Sequence, residues 1–330
     1  MATRLGLTVI RANSTVGSDI SQLVSQVVLS GRKGSASRSL EITLLDNEES
    51  GESRLNIDLL KGYRCIFTWD GKELFRGVIF KKTNTNSNKT TYKAYDMGIY
   101  LSNNKESFIY ENCTLSQIFS DIAYKFGLRC SEIYQTSYII PTISKTKTTA
   151  WDILTKAMKS QYEATGNKYY IDSDRDYLRL RRRIDNVVQW VLDSAGNIIS
   201  YTRTVSIEKL RTRYKLFSKE DTVTAWTIYN GLESALGIMQ EVESSSDTLS
   251  EAQAIERTKT KMKQLGQTEE TIKVDALGIP DVISGVAVYI VMPSLGLSKT
   301  YYVDSDTHTF TDDYHKMSLS LNKLSDSEFT

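Results

Sequence analysis

Hydrophobic and polar positions alternate with period two through most of this chain. Residues 5–10 (LGLTVI), 39–45 (SLEITLL), 63–69 (YRCIFTW), 74–80 (LFRGVIF) and 90–95 (TTYKAY) each follow that rhythm. Period-two alternation predicts strands with one buried face. Asp70-Gly71 between two apolar runs predicts a tight hairpin turn. Residues 19–29 fit either period, and residues 83–88 (TNTNSN) read as a polar loop. Several short strands separated by turn signals predict a small barrel or sandwich in the first hundred residues.

The rhythm then changes. Thr114-Leu-Ser-Gln117 is a capping-box pattern, followed by Leu115, Ile118, Phe119, Ile122, Ala123 and Phe126 at spacings of three and four, with Gly127 as a stop. Thr149 opens a second helix through Trp151, Leu154, Met158 and Tyr162, closed by Gly166. Residues 134–143 between them read as strand, and residues 168–171 and 177–180 as a hairpin. Strand patterns resume at Val187. A third capping box, Thr248-Leu-Ser-Glu251, starts a helix over about residues 248–265. One echo stands out. The segments beginning at Gly62, Leu74 and Thr91 recur in pattern at Gly285, Tyr301 and Lys316, at near-constant offsets of 223, 227 and 225. That suggests one strand–hairpin–strand unit used twice.

Composition narrows the function classes. With 19 Tyr and only 3 Pro the chain favours strand ladders. Lys plus Arg total 41 against 40 acidic residues, without the basic excess of a dedicated DNA binder. Two histidines leave little material for His-based catalysis or a His-rich metal centre. Cys65, Cys113 and Cys130 match no zinc or redox spacing and read as reduced core thiols made in a cytoplasm. No apolar run approaches the ~20 residues of a membrane helix, and the N-terminus lacks a secretory signal. Phosphate loops, dinucleotide fingerprints, nucleophile elbows and zinc-protease motifs are all missing from the sequence. The expectation is a protein that is not an enzyme, with no cofactor, no catalytic residue and no assigned metal ligand.

Some strings still invite chemistry. Asp304-x-Asp306-x-His308 would face one side of a strand and offer a divalent cation two carboxylates and an imidazole; the plainer reading is the polar outer face of a half-buried strand. Asp172-x-Asp174-x-Asp176 imitates a calcium loop but has Tyr177 and Arg183 where the loop needs Gly and Glu. Arg179, Arg181, Arg182 and Arg183 would suit phosphate contacts or a solvated face. Residues 168–215 hold 11 basic and 6 acidic side chains, whereas residues 301–330 hold 6 acidic and 2 basic, complementary patches that suit an oligomer. The pairs Glu269-Glu270 and Asp312-Asp313, and the tyrosines 169, 170, 301 and 302, read as structural.

The order of motifs resembles the XkdQ/YqbQ family of phage tail proteins. The resemblance rests on residues 92–103 (YKAYDMGIYLSN) and 114–119 (TLSQIF), Trp190-Val-Leu-Asp193 with Asn197, and Tyr229-Asn-Gly231. It continues through Leu277-Gly278, Gly285, Val288, residues 301–310 and Met317-Ser-Leu319, and so covers about residues 1–325. The acidic Gly-Asp pair usual before the late strand is Ser284-Gly285 here.

The resemblance implies a β-rich α+β baseplate hub, related in fold to late control protein D and the hub portion of VgrG spikes. It implies two tube-like β-barrel domains, residues 1–104 and 186–330, flanking an α/β domain at 105–185. It further implies a homotrimeric, pseudo-sixfold ring joining the sixfold tail tube to the threefold central spike, in a contractile phage or phage-tail-like bacteriocin. The implied partners are the tail tube, the spike, a LysM-type adaptor and the tape-measure protein, with DNA only as cargo through the lumen and neither small-molecule substrate nor membrane insertion. The protein would be made in the bacterial cytoplasm and end in an assembled tail. A tail-associated cell-wall hydrolase or effector, and a nucleic-acid-binding tail protein, are the competing classes.

Overall fold

Alternating strands dominate the computed structural model, which is 55% strand and 21% helix. It describes residues 4–45, 59, 61–85, 89–218, 222–244, 250–311 and 314–323. Residues 86–88 of the expected polar loop, Thr248 and Leu249 of the third capping box, and Asp312-Asp313 lie outside that set.

The first stretch contains β1 (Leu5–Ile10), β2 (Gly17–Asp19), β3 (Val24–Arg32), β4 (Ser39–Leu45), β5 (Arg64–Trp69), β6 (Lys72–Thr85) and β7 (Lys89–Tyr95). Asp70 and Gly71 turn the β5–β6 hairpin with φ of 48° and 76°, the left-handed pair such a two-residue turn requires. Residues 83–85, expected in a loop, extend β6 instead. Strand alternation sends Leu5, Leu7, Val27, Leu40, Ile42 and Phe67 into one core.

The middle stretch contains α1 (Ile99–Asn103), β8 (Lys105–Thr114), α2 (Leu115–Lys125), β9 (Arg129–Ile133), β10 (Ile139–Thr149), α3 (Ala150–Thr165), β11 (Tyr169–Asp174) and β12 (Tyr177–Arg182). Thr114 and Gln117 form the reciprocal capping box, Thr149 accepts from the Asp152 amide, and Gly166 closes α3 with φ of 73°. Leu115, Ile118, Phe119, Ile122, Ile153 and Leu154 build a second core. The strand expected at 134–143 begins later, as β10, and α1 and β8 had no signal in the pattern.

The third stretch contains β13 (Val187–Asp193), β14 (Ile198–Ser206), β15 (Arg213–Phe217), β16 (Val223–Ile228), α4 (Asn230–Leu236), β17 (Gln240–Ser244), α5 (Glu251–Leu265), β18 (Glu269–Leu277), β19 (Ala287–Met292), β20 (Leu297–Thr311) and β21 (Tyr314–Lys323). The chain divides into two compact units, Met1–Tyr201 with Lys273–Thr330, and Thr202–Ile272. The smaller unit packs α5 on the β16-β15-β17 sheet around Tyr214, Leu216, Ala225, Ala254 and Met262.

The sequence echo is a repeated topology. Strands β5, β6 and β7 form an antiparallel meander, and so do β19, β20 and β21. Each meander carries the same neighbours, giving β3-β4-β7-β6-β5-β1 in one case and β14-β18-β21-β20-β19-β13 in the other. The repeats differ at the last position, where β1 runs antiparallel to β5 and β13 parallel to β19. The two sets are joined where β3 pairs with β20, making one 13-stranded sheet. Among the described residues no sheet closes on itself.

Phe310 of β20 sits fully buried in the first core, with ring centroids 4.9 Å from Phe67 and 5.1 Å from Trp69. Phe310→Ala should cost about 3–5 kcal/mol, the usual range for truncating a buried aromatic ring. A fall in the denaturant midpoint at unchanged slope would show it; an unchanged midpoint would contradict this packing.

Candidate functional site

The Asp304, Asp306 and His308 string lies at the β3–β20 joint, but not as a metal centre. A β-bulge between Val303 and Ser305 shifts the register of β20 against β21. Asp304 therefore leaves the face shared by Asp306 and His308, because one extra residue inverts a period-two pattern. Asp304 lies 3.3 Å from Arg183 and 3.6 Å from Lys33, and accepts from Asn322 at 3.1 Å. Among the described residues no group of three His, Cys, Asp or Glu is placed to hold a metal ion.

Asp306, its side chain fully buried, takes a two-pronged contact from Arg38 at 2.9 and 2.5 Å and a third hydrogen bond from the Ser284 amide at 2.6 Å. Gly31 makes room for that guanidinium, since a Cβ there would stand 2.0 Å from an Arg38 nitrogen. Burial pushes the Asp306 carboxyl up, but Arg38 beside it outweighs burial and holds it below the ordinary range. The Arg38 amide in turn donates to buried Asp96 at 3.0 Å, whose other oxygen accepts from the Gly98 amide at 2.9 Å. Burial dominates at Asp96 and pushes its carboxyl up to about 7.

The only two histidines form a buried pair. His308 Nε2 lies 3.0 Å from the Val282 carbonyl, so it carries the proton and donates. His308 Nδ1 is then the acceptor, and His315 Nε2 donates to it at 2.9 Å. His315 stacks on Phe310 at 4.0 Å, and Gly278 lies flat against its ring. Burial pushes both imidazoles down, His315 to about 3.

The arginine string and the aspartate string answer each other. Arg179 grips Asp172 at 2.9 and 2.7 Å and reaches Asp174 at 3.3 Å. Arg182 grips Asp185, and Arg181 lies 3.6 Å from Glu132. Asp176 is held between Arg64 and Arg76. Buried Arg183 stacks on Tyr302 at 3.7 Å. The four arginines are committed to internal carboxylates rather than presented to a phosphate backbone. Tyr170 accepts from Asn186, Tyr169 packs on Tyr134, and Tyr301 and Tyr302 are buried on β20. Glu269 and Glu270 pair separately with Lys209 and Arg203. Arg38 and Asp96 escaped the sequence reading because they meet their partners across segments far apart in the chain, and His315 because its contact depends on the register of the β20–β21 hairpin.

The comparisons with known proteins agree with this architecture. Residues 27–322 match the sequence profile of a family described as YQBQ-like. The chain belongs to the YQBQ-like family. Two relatives from Bacillus subtilis (strain 168) align with it almost end to end. The uncharacterized protein YqbQ is 34% identical over 305 residues, covering 91% of this chain and 92% of that protein. The phage-like element PBSX protein XkdQ is 33% identical over 306 residues, covering 91% and 93%. The 43 kDa tail protein of prophage MuSo2 from Shewanella oneidensis superposes with a TM-score of 0.73 at 13% identity, over 96% of this chain and 97% of that one. At that identity the likeness is one of fold. For this YQBQ-like chain it spans the whole repeated sheet together with the α/β stretch.

Two predictions follow from the joint's charges. Arg38→Met leaves Asp306 buried and unpaired and should cost about 3–5 kcal/mol, whereas the double change with Asp306→Leu should cost clearly less. Equal costs in chemical denaturation would mean that the pair is not coupled. The pH dependence separates by sign. Asp306, with its lowered carboxyl, contributes stability above about pH 4 that is lost on further acidification through its folded value. The neutral histidines favour the fold above about pH 6.5 and lose that contribution as pH falls through their lowered folded values, about 3 for His315. Asp96 opposes them: its contribution is full below about pH 4 and is lost as pH rises through 7. Asp96→Asn should therefore steepen the loss of stability between pH 7 and pH 4. A slope unchanged from wild type in denaturant midpoints at pH 7, 5.5 and 4 would contradict it.

Proposed function

We propose that this chain is the structural hub of a tail baseplate, in a contractile phage or a phage-tail-like bacteriocin, and that three copies close into a pseudo-sixfold ring. The observation that carries the reading is the repeated six-strand order. A chain with the same wall unit twice brings six such units to a trimer, and so meets a sixfold tube on one side and a threefold spike on the other. Closed cyclic symmetry also stops growth at a fixed copy number. The fold likeness to a prophage tail protein, and a relative named as a phage-like element protein, support the tail assignment.

In this reading residues 1–104 and 186–330 are the two wall domains, with residues 105–185 as the α/β domain between them. The 202–272 unit is an insertion within the second wall. Each wall closes into a tube only with its neighbours in the ring. The tail tube, the central spike, a LysM-type adaptor and the tape-measure protein are the partners, and DNA passes only through the lumen. The role is mechanical and needs no catalytic group. The nucleic-acid alternative loses its main support, because Arg179, Arg181, Arg182 and Arg183 are engaged internally.

Light scattering of the purified chain over a concentration series tests this. The expected species is a trimer of roughly 112 kDa, three times the 37.3 kDa chain. A strict monomer at every concentration, alone and with the co-expressed spike, would overturn the ring.

A further inference from the structure

The internal joint has a missing counterpart. Strand β3 leads the first repeat and pairs with the far half of β20, the long strand of the second repeat, from Val27 opposite Phe310 to Arg32 opposite Ser305. By position, β14 corresponds to β3 and β6 corresponds to β20. The likeness of the two long strands extends to single residues. The Gly62 amide donates to the Ile79 carbonyl and the Ile79 amide to Tyr63, both at 2.8 Å. The Gly285 amide donates to the Val303 carbonyl at 3.0 Å and the Val303 amide to Val286 at 2.9 Å. Both glycines have positive φ, 93° and 98°. Immediately afterwards both long strands are bulged, between Ile79 and Lys81 and between Val303 and Ser305.

Past the bulge the equivalence is incomplete. β20 receives β3 there, whereas among the described residues no strand pairs with the outer edge of β6 beyond that point. The strand that would correspond, β14, ends the sheet, and its seven inner residues are all exposed, Ile199, Tyr201 and Val205 among them. In the order of its own sheet β14 is seven strands removed from β6.

We infer that β14 of one copy pairs antiparallel with residues 81–84 of β6 on the next copy, repeating between chains the β3–β20 joint within each chain. The inference rests on the ring reading above and names its contact. The join uses two different edges, so it is head-to-tail and propagates around a ring. It also covers an apolar edge strand that is otherwise a template for uncontrolled pairing. The matching positions carry different chemistry. At the offset of 224 that relates the bulges, the counterpart of Asp306 is Lys82. The inter-chain joint therefore lacks the buried Arg38–Asp306 clip and should open more readily than the internal one.

The equivalence also specifies a register. Strands β3 and β14 both have nine residues. The cross-strand pair Ser30–Thr307, whose hydroxyl oxygens lie 3.4 Å apart, then maps to Thr204 of one chain and Thr83 of the next. The test uses the full chain with Cys113→Ser and Cys130→Ser as background. Thr83→Cys is combined with Thr204→Cys, and with Thr202→Cys or Ser206→Cys as register controls. Light scattering of wild type, alone and with the co-expressed spike, comes first, because a strict monomer in both defeats the ring reading and this contact with it. Given a trimer, mild oxidation of the Thr83→Cys/Thr204→Cys protein should yield a ladder ending at three linked chains, at least fivefold more than the controls, with no ladder from either cysteine alone. A trimer that cross-links through none of these pairs, or equally through all, overturns the β14–β6 contact while leaving the ring in place.

Discussion

The antiparallel join of β3 to β20 is the contact on which the rest of this architecture depends. It merges two copies of one strand arrangement into a single sheet, and it does so with charge placed where charge is expensive. Burying an arginine and an aspartate costs solvation that their mutual attraction recovers only with close geometry and every remaining polar group satisfied. Both conditions are met: Arg38 makes a two-pronged contact, the Ser284 amide fills the remaining site on Asp306, and Gly31 removes the side chain that would block the approach. An apolar seam already resists a one-residue slip, because the slip turns its buried side chains outward. A buried ion pair penalises every misalignment, because a slip of one residue leaves two charges unpaired.

The same seam shows why some features were legible in the sequence and others were not. Capping boxes and left-handed glycines act within a few residues, so α2 and α3 fell where Thr114, Thr149 and Gly166 placed them. The strand–hairpin–strand echo was visible as spacing and emerged as repeated topology. The bulge before Ser305 was not visible, since nothing in Val-Asp-Ser announces an extra residue, and it separated Asp304 from Asp306 and His308. Arg38 and Asp96 meet their partners only through the tertiary fold, and His315 meets His308 only in the register that the β20–β21 hairpin adopts.

The charged strings of β11 and β12 carry a related lesson. Read linearly, three aspartates imitate a cation loop that Tyr177 and Arg183 rule out, and four arginines suit phosphate contacts or a solvated face. A hairpin sets such strings side by side, and opposite residues on neighbouring strands neutralise each other. Asp172 stands across from Arg179 in the ladder and is gripped by it. Asp176, at the hairpin tip, is used to anchor the α/β stretch onto Arg64 and Arg76 of the first sheet. Charge density along a strand therefore reported on internal assembly, not on a ligand.

A repeat that has become asymmetric explains the remaining contrasts. If both joints around a ring were equally strong, chains would pair through either edge as they emerged, and mixed or open assemblies would compete with the closed one. Here the internal joint is covalently tethered, clipped by a buried ion pair and stapled by Phe310 in the first core. Beyond its bulge β6 carries lysines at 81 and 82, a residue type that edge strands use against pairing with an arbitrary partner. In the ring proposed above, the internal joint needs no second chain whereas the inter-chain joint does, so folding and association would draw on contacts of different strength.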